Sequence, residues 1–178
     1  MSFRTSTSRL AFALALVVLA AGCSKNSSPT APTAVDPRFV ATLLPANEVP
    51  AVSNADSTGS GTVLITMHLT KDSAGNITAA TADFVVTLTG FPTPTTLTGA
   101  HIHSANFGVN GSIIWSTTIA NGEIVLPNGS VSFTKTATLP NDVAIAQAII
   151  NNPAGFYFNV HSTINTGGCA RGQLARAN

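Results

Sequence analysis

From Arg38 onward, apolar and polar residues alternate with a period of two, which leaves the chain few ways to bury itself except as strands with one face turned inward. In the clearest run, Thr62 to Thr70, Val63, Ile65, Met67 and Leu69 point one way while Leu64, Thr66, His68 and Thr70 point the other. The same pattern, rich in Thr and β-branched residues, predicts strands at 39–44, 79–89, 98–103, 112–119, 122–126, 130–138, 156–161 and 170–174. Three Asn-Gly pairs, Asn110-Gly111, Asn121-Gly122 and Asn128-Gly129, fall between such runs. Asn-Gly suits the positive φ angles of tight hairpins, so successive strands are expected to pair antiparallel. Asn141 to Ile150 breaks the alternation, follows Pro140 and opens on the capping residues Asn141 and Asp142. The expected fold is therefore all-β, an antiparallel β-sandwich with Greek-key connections and one short helix at about 141–150.

Ahead of that domain stands an address. Arg4 and Arg9 precede the uncharged apolar run Leu10 to Ala21, which is shorter than the roughly 20 residues that span a bilayer. This is the layout of a secretory leader. It ends in Leu19-Ala20-Ala21-Gly22-Cys23, which resembles the bacterial lipobox; the resemblance implies cleavage before Cys23 and lipidation of that Cys with palmitate-type chains. Several acyl chains together anchor a protein durably without spanning the membrane. Ser24, in place of an Asp, resembles the sorting pattern that releases lipoproteins from an inner membrane. Residues 1–22 are thus read as signal peptide, 23–37 as lipidated Cys and Ser/Pro/Thr-rich tether, and 38–178 as the folded domain. The expected location is the extracytoplasmic side of a bacterial envelope, at the outer membrane where there are two. In that setting the four Asn-x-Ser/Thr sites, at Asn26, Asn76, Asn110 and Asn128, are turn chemistry rather than glycosylation signals.

Charged residues make up only 8% of the 178, with eight Lys and Arg against seven Asp and Glu and no long basic run. Nothing there tracks a phosphate backbone, so nucleic acid is not an expected partner. Against this background the histidines stand out. His101 and His103 share one face of their strand, about 7 Å apart, with Ala100 and Ile102 on the other. By the same parity Tyr157, Asn159 and His161 oppose Phe156, Phe158 and Val160, and Cys169, Arg171 and Gln173 oppose Ala170, Gly172 and Leu174. Two readings of His101, His103 and His161 remain open from the residues: a hydrogen-bonded polar face, or a copper or zinc site with Cys169 as a possible fourth ligand. In the metal reading affinity is expected to fall as pH drops through about 6.5, where free imidazole protonates. His68 reads as a solvated strand residue, and Trp115 and Tyr157 as packing aromatics. With Cys23 lipidated, Cys169 has no intrachain partner, so a disulfide within the monomer is not expected; it reads first as a buried, inert thiol, with a metal ligand or an intermolecular bridge as the alternatives.

The run from Phe39 to Leu174 resembles a CHRD domain, the module named from chordin. The matching pieces are Phe39 to Leu43, Asn47-Glu48-Val49-Pro50, Gly59 to Gly61, Ala100-His101-Ile102-His103, Phe156 to His161, and Gly167 to Leu174 with its Arg171-Gly172-Gln173. The resemblance implies an extracytoplasmic β-rich module; in chordin it belongs to a protein that binds growth factors. Cys169 stands where the family usually carries an acidic residue. Glu48 and Arg171, both in matching motifs of a chain with few charges, are expected to form a structural ion pair.

No Ser-His-Asp order, paired catalytic carboxylates, phosphate loop or nucleotide fingerprint is present, so no catalytic residue is assigned. Two classes of function follow. One is an envelope-anchored, non-catalytic binding or structural module contacting a protein or another envelope component. The other is a metal-binding lipoprotein. His-x-His on a sandwich strand is similar to copper-zinc superoxide dismutase, which keeps dismutase-like redox activity as a branch of the second class.

Overall fold

A computed structural model describes residues 35–140 and 142–177. The leader, Cys23 and most of the tether lie outside the described residues, as does Asn141. Among the described residues are ten strands and one α-helix: β1 (Arg38–Leu43), β2 (Ser60–Lys71), β3 (Ile77–Thr89), β4 (Thr95–Ser104), β5 (Ser112–Ser116), β6 (Val125–Leu126), β7 (Val131–Thr138), α1 (Ala144–Asn151), β8 (Phe156–Ser162), β9 (Ala170–Gln173) and β10 (Ala175–Arg176). They form two antiparallel sheets, β10-β1-β2-β3-β7 and β5-β4-β8-β9, with β6 paired to β4. The all-β sandwich with one short helix is thus observed.

The alternation places the core as expected. Phe39 and Leu43 of β1, Ile65 and Met67 of β2, and Phe84, Val86 and Leu88 of β3 face Leu97, Ala100 and Ile102 of β4, Trp115 of β5, and Phe158 and Val160 of β8, all buried. Trp115 meets the ring of Phe84 edge-on at 5.9 Å, and Phe158 stacks on that same ring at 5.8 Å. Burial of such side chains, each stabilising by about 1.5–3 kcal/mol, holds the two sheets together.

The pairing expectation holds in part. β1–β2, β2–β3, β4–β5 and β8–β9 are antiparallel neighbours in sequence and in space. β5, β6 and β7 do not pair in succession, because β6 joins β4 and β7 joins β3. Gly122 and Gly129 do have positive φ, 82° and 70°, but their turns carry the chain between strands rather than closing hairpins. The amide of Phe91 donates to the carbonyl of Gly129 at 3.1 Å, so that turn is bound to the β3–β4 crossover. β5 stops at Ser116 because Thr118 has φ 60°, which no continuing strand residue adopts. The helix begins at Ala144 and ends at Asn151, just before Pro153.

Where β9 meets the end of β1, Leu44 and Arg171 exchange backbone hydrogen bonds of 3.1 and 3.3 Å, joining the two sheets at one corner. A Cβ on Gly172 would stand 2.1 Å from the carbonyl oxygen of Thr42, so only glycine permits that approach. This corner brings the segment carrying Glu48 over the outward face of the second sheet, which is where the histidines are.

Candidate metal centre

β4 and β8 lie side by side, with His101 opposite Asn159, His103 opposite Tyr157 and Gly99 opposite His161. Parity turns Ala100, Ile102, Phe158 and Val160 into the core, so the polar members of both strands project from the opposite face. Instead of facing water they are roofed. The segments around 45–58, 105–111 and 163–168 fold over them and leave His103, Asn159, His161 and Arg171 buried and His101 partly so.

Arg171 ties down the roof. Its Nε donates to the carbonyl of Asn47 at 2.5 Å, and Nη1 donates to the carbonyl of Val109 at 3.2 Å and to Oδ1 of Asn110 at 3.0 Å. Its guanidinium also lies 4.5 Å from the centre of the Tyr157 ring, which stacks on His103 at 4.8 Å with 6° between the planes. Asp56, fully buried, anchors the third segment by accepting from Ser162 Oγ at 2.5 Å and from Asn165 Nδ2 at 2.6 Å.

Under this roof, one ligand atom from each of His101, His103 and His161 lies within 4.8 Å of the others. The rings from the two neighbouring strands therefore converge, His101 and His103 with centroids 5.8 Å apart. Two backbone carbonyls set the tautomers. His103 donates from Nδ1 to the carbonyl of Gly111 at 2.9 Å, and His161 donates from Nδ1 to the carbonyl of Thr166 at 2.8 Å. A carbonyl can only accept, so each neutral ring carries its proton on Nδ1 and presents a bare lone pair at Nε2. Nε2 of His103 is buried with no hydrogen-bond partner in the protein. Nε2 of His161 lies 3.0 Å from Nδ1 of His101, which donates to it. Gly99 makes room for this arrangement, because a Cβ there would be 2.9 Å from Cε1 of His101.

All three rings are held neutral. Burial and the neighbouring imidazoles His161 and His103 push His101 down to about 4. Burial likewise lowers His103 and His161, outweighing the carbonyl bonds that work the other way. Proton competition for the rings therefore lies below the free-imidazole value on which the sequence expectation rested.

Cys169 takes the first of its sequence readings, and the Glu48–Arg171 pair departs from its own. Cys169 is no member of the cluster: it packs in the hydrophobic core with Ala170 and Val160. The strand parity that would have placed it beside Arg171 does not reach it, since the chain bends at Cys169 and β9 begins only at Ala170. Burial, with the nearby carboxylates of Asp56 and Glu48, keeps its thiol protonated, the opposite of what a ligand needs. Glu48 and Arg171 do come close, but not as a direct salt bridge. Glu48 Oε1 and Arg171 Nη2 are both buried without a hydrogen-bond partner in the protein. Burial pushes the Glu48 carboxyl up to about 7, against the opposing pull of Arg171 and of the Asn159 amide. Arg171 therefore acts on Glu48 through space, its positive charge drawing the carboxyl down without a hydrogen bond between them.

His68 sits apart on the first sheet, bonded to Asp36 at 2.7 Å and Asp83 at 3.0 Å, which raise its pKa. A cleft of about 390 Å³ opens in the roof between the 48–54 segment, Asn110 and the 165–168 turn, with Glu48 in its wall. Sequence reasoning placed Asn159 on the histidine face without giving it a role, and read Gly111 only as half of a hairpin pair. The carbonyls of Gly111 and Thr166 have no sequence signature at all, since every residue has one.

No curated protein and no solved structure matches the chain. A family model described as the CHRD domain matches residues 39–174, from the first core residue of β1 to the end of the β9 corner, and so takes in both sheets, the roof and all three histidines. The chain belongs to the CHRD domain family.

Proposed function

We propose that the protein is a lipid-anchored, non-catalytic envelope module whose CHRD domain binds one divalent transition-metal ion, zinc or copper, through His101, His103 and His161. The observation that carries the metal reading is the pair of carbonyl bonds at Nδ1 of His103 and His161, which aim two bare Nε2 lone pairs into one small, roofed space. A metal-bound histidine characteristically donates its other nitrogen in this way. At His101, which is partly exposed, exchange with solvent can move the proton to Nε2 and free Nδ1. Ligand atoms around a tetrahedral ion at about 2.1 Å are about 3.4 Å apart, so loading would open the 3.0 Å contact between His101 and His161 slightly and close the widest separation, within 4.8 Å, by up to about 1.4 Å.

Elemental analysis of the untagged full chain, purified in mild detergent, is expected to find about one equivalent of zinc or copper. His103→Ala and His161→Ala should lose it, and His68→Ala should retain it. Wild-type protein that carries no metal and takes up neither ion when supplied would overturn the reading.

Anchoring rests on the leader and on the lipobox-like Leu19 to Cys23. Cys23→Ala is expected to abolish acylation and release the protein from membranes, read by mass spectrometry and fractionation. An unmodified Cys23 thiol on a fully soluble wild-type protein would remove this part of the proposal.

A further inference from the structure

Asn159 is 1% exposed and stands on β8 two residues before His161, opposite His101 on β4. Its Oδ1 lies 3.0 Å from Nε2 of His161. That contact conflicts with the tautomer. Because His161 spends its proton on Thr166, Nε2 is bare, and a carbonyl oxygen facing it places two lone pairs against each other. Turning the amide over would let Nδ2 donate to the ring, but would bring Oδ1 round toward the Glu48 carboxylate. The Asn159 Nδ2 and Glu48 Oε1 atoms face the same point beside Gly168, lying 2.8 and 2.6 Å from where a Cβ on that glycine would be. Glu48 thus favours the orientation in which Oδ1 looks at His161. A cation between Oδ1 and Nε2 would turn the repulsion into chelation.

We propose that Asn159 is the fourth ligand of the centre, binding the ion through Oδ1, with Glu48 behind it as a positioning residue. The inference rests on the metal reading above and completes its donor set. His101-x-His103 on β4 and Asn159-x-His161 on β8 then form two matched pairs, each with members two apart on one strand face. Three imidazoles and one amide oxygen, with no thiolate, suit Zn²⁺ or Cu²⁺ rather than soft Cu⁺. The set is electrically neutral, so the ion keeps its full charge. A carboxyl group close behind a ligand, as Glu48 is behind Asn159, favours the orientation that aims the amide oxygen at the metal.

Co²⁺ titration of the untagged full chain, followed by visible absorption, tests this. Asn159→Ala is expected to weaken binding at least about 10-fold and change the d–d bands, Asn159→Asp to bind no more weakly than wild type, and Glu48→Gln to weaken binding about 10-fold. Circular dichroism checks that each variant is folded. A measurement on wild-type protein does not depend on any variant: the Asn159 side-chain amide ¹⁵N resonance should shift on zinc addition together with the imidazole resonances. Wild-type affinity and bands in folded Asn159→Ala, or an Asn159 resonance that stays fixed while the imidazoles move, would overturn the inference and leave the trihistidine reading standing. If wild type binds no Co²⁺, or His161→Ala binds it equally well, the metal reading itself fails and this inference falls with it.

Discussion

Saturating zinc is expected to raise the thermal unfolding midpoint of the wild-type domain by roughly 10–15 °C, and His161→Ala to erase that rise. An ion that binds only the folded state at a free concentration of about 1,000 times its Kd stabilises by about 4 kcal/mol, and a domain of this size gains roughly 2–4 °C per kcal/mol. The unfolded chain cannot compete well, because His101 and His161 are 60 residues apart in sequence and meet only when β4 lies beside β8. Calorimetry of the full chain with zinc and then with chelator reads the shift. Without metal His161→Ala should itself lower the midpoint, since the carbonyl of Thr166 loses its ring donor. The informative quantity is therefore the zinc-dependent difference within each variant. His68→Ala, bonded only to Asp36 and Asp83, should keep the full wild-type difference. A zinc response that survives in His161→Ala would reject the site.

Arg171→Met is expected to destabilise the domain by about 3–5 kcal/mol, the scale for breaking a buried charged group away from its partners. The carbonyls of Asn47 and Val109 and Oδ1 of Asn110 would each lose a donor beneath the roof. Glu48 would lose the positive charge that partly offsets its burial. Glu48→Gln behaves differently because burial penalises the charged carboxylate. With the folded pKa raised from 4.5 to about 7, Glu48 contributes stability that is complete below pH 4.5 and disappears as pH rises through 7. Glu48→Gln removes that dependence, so it should gain on wild type between pH 4.5 and 8, by up to about 3 kcal/mol. The histidines run the other way. Their folded pKa values lie below the ordinary 6.5, so their contribution is present above 6.5 and is lost as pH falls through those lowered values, which for His101 is about 4. Comparing the two proteins at each pH cancels this shared term. Denaturant unfolding across that range reads the result. An Arg171→Met loss under about 1 kcal/mol would show that the roof does not depend on this side chain.

The same contacts explain how much could be read in advance. Period-two alternation is a local property, so the strands and the identity of the inward faces were legible from residues one and two apart. Ala100 and Ile102 went into the core and His101 and His103 to the other face because pleating alone dictates it. The family motifs likewise mark contiguous pieces of chain. Cys169 escaped that logic because it sits in the bend just before β9, outside the strand whose pleat would have set its direction. The Glu48 carboxyl escaped it because its charge depends on how deeply a roof from another part of the chain covers it.

What the sequence by itself determined is the set of strands, their inward and outward faces, and the presence of three imidazoles on the outward ones. Tertiary structure alone decided that β4 and β8 lie side by side, that the roof closes over them, and that carbonyls at Gly111 and Thr166 take the Nδ1 protons. The physical reason is that side-chain direction follows from the local backbone, whereas a tautomer, a pKa or a shared ligand position depends on atoms far apart in the chain that only packing brings within a few ångströms.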